Sequence, residues 1–270
     1  MRRILLTLFI LQWLAIPMAG QYDFLFAKRN VIPNGYNFWI YTPEDYYYSR
    51  EMTPCIIFLH GASLCGKNLD RVRRYGPLHA IVKGRQIPAL VIVPQNPGGA
   101  WSPKKINDVL EWTKKNYPLD STRIYVIGMS LGGYGTMDFC GTYPDKIAAG
   151  MALCGGCTLK DVTGLGDLPF WIIHGTADRA VSVKESQKVV AGLKTAGKTE
   201  RLRYNWMKGV DHGRPARIFY MKKTYEWLFS HCLTDSSRPV NRKTQISSSD
   251  LSNAYQDLSP GIPDPEVIDD

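Results

Sequence analysis

Charge of one sign never accumulates along this chain. The longest purely cationic runs are pairs such as Lys104-Lys105 and Lys114-Lys115, and no nucleic-acid motif accompanies them. A formal charge of +9, from 33 basic and 24 acidic residues, therefore reads as scattered and solvated, and nucleic acid is not expected as a partner. Long apolar runs are also missing, apart from one at the N-terminus, which excludes a polytopic membrane protein. There is no internal repeat. Histidine is scarce, with five in 270 residues, so each can be weighed singly. What is present, 44% hydrophobic and 21% charged residues, is ordinary for a folded globular chain and excludes wholesale disorder or a collagen-like repeat.

The two ends differ from the middle. Met1-Arg2-Arg3 is a short positive start, Ile4 to Ile16 is nearly all apolar, and Pro17-Met18-Ala19-Gly20 is a small-residue exit. That layout predicts a secretory signal peptide over 1–20, cleaved near Ala19 or Gly20, and an exported or periplasmic protein with no integral membrane segment after cleavage. No cysteine adjoins the junction, so a lipoprotein anchor is not expected. Residues 235–270 are rich in Ser, Asp and Pro, with seven acidic and three basic residues, and are expected to form a disordered polar tail. The stretch 21–234 between them is the expected single domain, and it carries most of the positive charge. Six cysteines (Cys55, Cys65, Cys140, Cys154, Cys157, Cys232) leave disulfides open in an exported protein. Cys154-Gly-Gly-Cys157 has redox or metal spacing, but no second pair or histidine lies near it in sequence, so no metal site is expected. Buried Cys55, Cys140 and Cys154 are the simpler expectation.

From residue 21 to 234, strand-like and helix-like patterns alternate. Asn37 to Tyr41 follows a Pro33-Asn34-Gly35 turn and suggests an opening hairpin. Cys55 to His60, Ala89 to Val93, Ile124 to Ile127, Ile147 to Leu153 and Leu168 to His174 are continuous apolar runs without alternation. Such runs suit parallel strands buried on both faces. Arg201 to Trp206 is more amphipathic and is placed nearer an edge. Helices are expected after Pro103 (Ile106, Val109, Leu110, Thr113), over Leu131 to Tyr143, from Val183 to Leu193 behind an N-cap at Ser182, and from Arg217 to Phe229. The alternation predicts an α/β fold with a mostly parallel central sheet and helices on both faces.

Gly128-Met-Ser130-Leu-Gly132 follows a buried strand and opens a helix, the context in which G-x-S-x-G carries chemistry. The turn is too tight for side-chain bulk at its flanks, and it lifts the serine hydroxyl above a helix N-terminus with free N–H groups. A serine hydroxyl is a weak nucleophile and needs a base held by an acid. On an open parallel sheet those partners belong on loops at the C-terminal edge, with the acid before the histidine. His174-Gly-Thr-Ala-Asp178 supplies Asp178 after the fifth buried strand, and Val210-Asp-His212 supplies His212 after the sixth. Asp211 adjoins His212 in sequence, where the required geometry is rare, so Asp178 is the expected acid. The other histidines have other readings: His79 in a helical stretch near the surface, His231 at a helix end that favours a cation, and His60 and His174 as architectural strand ends. An oxyanion hole needs two donors. The N–H of Leu131, next after the serine, is one. The loop His60-Gly61-Ala62-Ser63 is the source of the other, with Ala62 preferred to Gly61 and Ser63.

Taken together, HGAS, GMSLGGYG, HGTAD and DHG, in this order, resemble the α/β-hydrolase superfamily over about residues 35–232. Within it the chain looks like compact secreted esterases of the phospholipase/carboxylesterase and feruloyl/acetylxylan-esterase type, including predicted peptidases of gut bacteria. The resemblance implies Ser130, Asp178 and His212 as a catalytic triad. It also implies that the stretch Pro94 to Trp101 borders the acyl or sugar site, with Trp101 as a substrate contact. Ala-Ser-Leu-Cys after His60-Gly61 replaces the Gly-Gly run of lipases, and no long insertion is available for a cap or lid. The expectation is an exported serine esterase, without cofactor or metal, that removes acetyl or feruloyl groups from carbohydrate or other small esters. The alternatives are a serine peptidase or aminoacyl hydrolase with the same triad, and a catalytically inactive carbohydrate-binding relative.

Overall fold

A strand that is apolar at every position needs cover on both faces of its sheet, and the sheet is built accordingly. A computed structural model describes residues 24–44, 46–49, 51–259 and 265–269; the expected signal peptide lies outside the described residues. An opening hairpin pairs β1 (Phe24–Lys28) with β2 (Asn37–Thr42). Then come β3 (Cys55–Leu59), β4 (Leu90–Gln95), β5 (Ile124–Met129), β6 (Ala149–Leu153) and β7 (Phe170–Gly175), each buried throughout. Next is β8 (Leu202–Met207), only partly buried, and the last is β9 (Glu266–Asp269). The nine strands run in the order β8-β7-β6-β5-β3-β4-β2-β1-β9. All pairings from β4 to β8 are parallel, and β2 joins β4 and β1 antiparallel.

Alternation within each strand divides the core in two. Ile56 and Phe58 of β3 share one cluster with Ile127 and Trp171. Ile57 and Leu59 share the other with Val126 and Ile172. Helices α1 (Pro77–Val82) and α5 (Lys222–Phe229) cover the first cluster. The second is covered by α2 (Pro103–Asn116), α3 (Leu131–Thr142) and α4 (Val183–Thr195). Ser102 and Ser182 cap α2 and α4 through their side-chain oxygens, and Pro103 opens α2. This is the α/β architecture expected, and among the described residues no inserted domain covers the C-terminal edge of the sheet.

Two expectations are corrected. The last helix of the domain is broken: a 3-10 turn over Arg214–Tyr220 ends at Met221, whose φ of −84° and ψ of 133° are extended, before α5 begins. Thr224 Oγ1 and Tyr225 Oη donate to the Ile218 and Phe219 carbonyls that a continuous helix would have used. Phe219, Tyr220 and Met221 are all buried, so hydrophobic periodicity carries no mark of the break.

The second correction concerns the stretch after 234. Residues 235–259 lie on the domain, and Val240, Ile246, Leu251 and Ala254 join the same cluster as Trp227 and Met207. Their spacing follows neither a helical nor a strand period. The segment is held by its carbonyls instead. Arg203, stacked 3.7 Å over the Trp171 ring, donates to the carbonyls of Asn241 and Thr244, and Trp227 Nε1 donates to Asn241 O at 2.9 Å. Arg238 reaches back to the Ile147 and Asp167 carbonyls. His231 belongs to this contact. It is 2% exposed, its Nδ1–H faces Trp227 O, and its Nε2 accepts from Asn241 N, so it is neutral rather than a cation at a helix end. Burial pushes it below the ordinary histidine range. Finally, β9 pairs parallel with β1 at the edge of the sheet.

Leu251 is fully buried in this contact. Leu251→Ala is therefore expected to lower stability by about 3 kcal/mol and Tm by roughly 6–12 °C. A thermal melt indistinguishable from wild type would show that the segment is not part of the cooperative core.

Candidate active site

The end of β5 meets the start of α3 in a turn that only particular residues can make. Ser130 has φ +60° and ψ −122°, a conformation rare for a residue with a side chain. Its N–H donates to Leu153 O of β6 at 2.8 Å, and its carbonyl accepts Tyr134 N, the first bond of the helix. Glycine on either side is obligatory. A Cβ at Gly132 would lie 1.8 Å from Leu59 O, and one at Gly128 would lie 2.4 Å from Gly132 O. The helix is thus pressed against the ends of β3 and β5, with the serine at its head.

The loops after β7 and β8 bring two more side chains to this point. Their backbones are tied together: Ala177 N donates to Val210 O and Thr176 N to Met207 O. His212 Nε2 lies 2.9 Å from Ser130 Oγ, and His212 Nδ1 lies 2.6 Å from Asp178 Oδ2. Asp178 Oδ1 accepts from the N–H groups of Ala180 and Val181. The carboxylate is fully enclosed while the His212 ring keeps about a quarter of its surface exposed. Burial raises the Asp178 pKa, but the hydrogen bonds from His212, Val181 and Ala180 outweigh it, and the net direction is down. Asp178 is therefore ionised and fixes the His212 tautomer with Nδ1–H inward and the Nε2 lone pair toward the serine. Asp211 is turned away, its Oδ1 accepting from Gly213 N and Arg214 N.

The two N–H groups expected to serve an oxyanion both begin helical turns. Leu131 opens α3 and Ala62 opens a 3-10 turn over Ala62–Leu64, positions whose N–H has no partner within the helix. The second loop lies against the serine: a Cβ on Gly61 would be 3.3 Å from Ser130 Cβ. Gly61 N donates to Tyr75 Oη at 2.5 Å, which removes Gly61 as a donor to substrate. Burial pushes Tyr75 up to about 12, so it remains a phenol and its oxygen accepts this bond. Tyr75 belongs to no motif, and sequence reasoning missed it. On the other side His60 Nδ1–H faces Gly61 O at 2.8 Å while its Nε2 accepts from Asn96 N. Burial pushes His60 down to about 4, consistent with this neutral ring. Tyr75 and His60 brace the loop through the N–H and the carbonyl of one residue, Gly61.

Residues 102–230 match the phospholipase/carboxylesterase family model, which takes in the serine turn and both partner loops. A probable acetylxylan esterase A of Aspergillus flavus is 39% identical over 65 residues, which is 23% of this chain and 21% of that protein. Acetylxylan esterase A of Emericella nidulans is 25% identical over 144 residues, 46% and 45% of the two chains. The chain thus spans between about a fifth and just under half of the length of these curated relatives. A solved thermostable esterase superposes with a TM-score of 0.64 at 26% identity, over 79% of this chain and 64% of that one. The chain has the α/β-hydrolase fold.

Within this α/β-hydrolase fold, Trp101 does not occupy the place expected of a substrate contact. It is 3% exposed, donates from Nε1 to His60 O, and packs edge-on against Tyr36 and His60. A Cβ on Gly135 of α3 would lie 2.7 Å from its indole ring. Trp101 fastens the loop after β4 to the helix behind the serine. The surface offered beside His212 is instead an open depression of about 590 Å³ lined by Ala177, Arg179, Ala180, Asp211 and Gly213.

All six cysteines are free thiols, and Cys154 and Cys157 do not pair. Cys154, His174 and Asp178 bring ligand atoms within 4.8 Å of one another, the one such trio among the described residues. It does not suit a metal ion. Burial pushes the Cys154 thiol up to about 12, and the Asp178 and His174 polar atoms already have partners. His79 is half-buried against the Tyr220 hydroxyl at 2.6 Å, not free on the surface.

His60 generates a pH prediction. Its folded-state pKa lies below that of the unfolded chain, so the unfolded state binds the extra proton first as pH falls. The stability it contributes is whole above about pH 6.5 and declines toward pH 4, by about 3 kcal/mol in all. His60→Asn, which keeps a donor near the Nδ1 position, is expected to flatten this part of the stability–pH curve in urea titrations. An unchanged slope would mean that His60 titrates normally in the folded protein.

Proposed function

We propose that the chain is a serine carboxylic-ester hydrolase. The observation that carries the reading is the unbroken row Ser130–His212–Asp178, with contacts of 2.9 and 2.6 Å, set on a strained turn at a helix N-terminus. Ser130 Oγ attacks the ester carbonyl carbon as His212 Nε2 takes its proton. Asp178 keeps the ring oriented and offsets the charge it gains. The carbonyl oxygen, now anionic, lies between the N–H groups of Leu131 and Ala62. Collapse of this intermediate expels the alcohol, which receives the proton from His212, and leaves an acyl group on Ser130. Water, deprotonated by His212, then repeats the sequence and releases the acid.

The substrates we favour are acetyl or feruloyl esters of carbohydrate. The fungal relatives are named acetylxylan esterases, and the edge that carries Ser130 is flanked by small residues, among them Ala62, Ala177, Ala180 and Gly213. An open edge of that kind admits an acyl group attached to a polymer. Export from the cytoplasm, which the N-terminal pattern suggests, fits such a substrate. Among the described residues no helix is long and apolar enough to cross a membrane.

The test is hydrolysis of p-nitrophenyl acetate, p-nitrophenyl octanoate, methyl ferulate and a peptide p-nitroanilide by the full chain and by Ser130→Ala. Turnover of acetyl or feruloyl esters is expected, with kcat falling at least about 10³-fold in the variant. Cleavage of the anilide in preference to the esters would transfer the assignment to a peptidase. A folded wild type inactive on all four would leave a carbohydrate-binding protein on a hydrolase fold.

A further inference from the structure

His174, next to last in β7, is completely buried, and both of its ring nitrogens are engaged. Nδ1 lies 2.8 Å from Ser186 Oγ on α4. Nε2 lies 2.9 Å from Val181 O and 3.2 Å from Asp178 Oδ2. That carboxylate oxygen is the one that receives His212 Nδ1. A single oxygen is therefore held between two imidazoles.

Proton counting identifies what His174 does there. The Val181 carbonyl and an ionised carboxylate can only accept, so Nε2 must carry a hydrogen. Ser186 has one hydroxyl proton and two acceptors in reach, Gly155 O at 2.7 Å and His174 Nδ1 at 2.8 Å. On a neutral ring Nδ1 is the acceptor and takes that proton; the Ser186 oxygen accepts from Nδ1 only when the ring carries a second proton. Burial opposes a second proton on the ring, while Val181 O and the Asp178 charge favour it, and the net direction of the His174 pKa is down. In either charge state the Nε2–H remains, because nothing at that nitrogen can donate to it.

We propose that His174 is a positioning residue for the hydrolytic site: its Nε2–H joins Asp178 Oδ2 to the Val181 carbonyl and aims that oxygen at His212. The inference rests on the ester-hydrolase reading. It adds a fourth side chain to the row and gives the HGTAD segment a reason to begin with histidine. When the proton of Ser130 moves to His212 Nε2, the ring becomes an imidazolium facing Asp178. A carboxylate already receiving His174 and two backbone N–H groups is a weaker base, so the Nδ1 proton stays on His212 and the charge pair persists. Besides the three residues themselves, the titratable groups facing this row are Cys154, on the loop after β6, and Asp211, on the loop after β8. Cys154 remains a thiol, and the Asp211 carboxylate is occupied by the turn it caps.

The test compares wild type, His174→Met and His174→Gln as full chains on p-nitrophenyl acetate across pH. His174→Met is expected to lower kcat about tenfold or more, the worth of one hydrogen bond to a charged group, with KM changed less than about twofold. The acid limb of kcat/KM should move to higher pH, because Asp178 with one donor fewer holds the His212 imidazolium more strongly. His174→Gln, whose amide hydrogens reach the same acceptors, should restore most of the rate and return the limb. Wild-type kcat and limb in His174→Met overturn the proposal. So does a slow His174→Met whose limb is unmoved and whose loss glutamine does not relieve, since that is simple packing damage. If His174→Met does not fold, Ser186→Ala decides: a smaller loss with the same shift supports the proposal, and an unchanged profile overturns it. The two readings remain separable by proton NMR. The downfield resonance of the His212 Nδ1 proton should move in the His174 variants even if no ester is turned over, and a fixed resonance overturns the inference alone.

Discussion

The contact on which the site depends is the approach of α3 to the ends of β3 and β5. Helix and sheet meet so closely that Gly132 touches the Leu59 carbonyl, leaving no room for a Cβ. That closeness forces Ser130 into a positive-φ conformation and aims its hydroxyl off the edge of the sheet. Strain of this kind costs of order 1–3 kcal/mol and persists only where the surroundings over-determine it. Here they do: the Ser130 N–H is bonded to β6, its carbonyl starts the helix, and Gly133 and Gly155 pack together below it.

Around that fixed point, charge is handled by local saturation. Asp178 is enclosed, and an enclosed carboxylate is tolerated only when its oxygens are hydrogen-bonded. Two backbone N–H groups take Oδ1, while His212 and His174 approach Oδ2. The same economy governs the loop after β3, where Tyr75 accepts from the N–H of Gly61 and His60 donates to its carbonyl. These groups are neutral by burial, so the loop is held without adding charge next to the serine. The exposed polar surface of the site is left to His212 and the residues of the open depression beside it.

Residues 235–259 follow a different logic. A segment poor in regularly spaced apolar residues still packs when arginines of the domain bind its carbonyls and a few aliphatic side chains enter the core. Arg203 both stacks on Trp171 and binds two of those carbonyls, so one side chain serves the core and the segment together. A cation beside an indole face with carbonyls ahead of it has lost water but not its partners.

Much of this was legible in the chain itself. Uninterrupted apolar runs specify strands covered on both faces, because each side chain of such a run must find apolar cover whichever way it points. The G-x-S-x-G spacing and the acid-then-histidine order specify which residues can meet, because chain order on a parallel sheet dictates which loops share an edge. The four residues buried on α2, Ile106, Val109, Leu110 and Thr113, follow from their spacing alone. Tertiary structure decided the rest. Tyr75 reaches Gly61 across 14 residues, His174 shares an acid with His212 at a separation of 38, and Arg203 meets Thr244 across 41. Trp101 carries the same aromatic signal whether it faces substrate or backs a helix, and only the space at Gly135 determines which. Periodicity records what a segment does with its own neighbours. Partners that are set by the closure of distant loops, and carbonyls that bind arginines, leave no period to read.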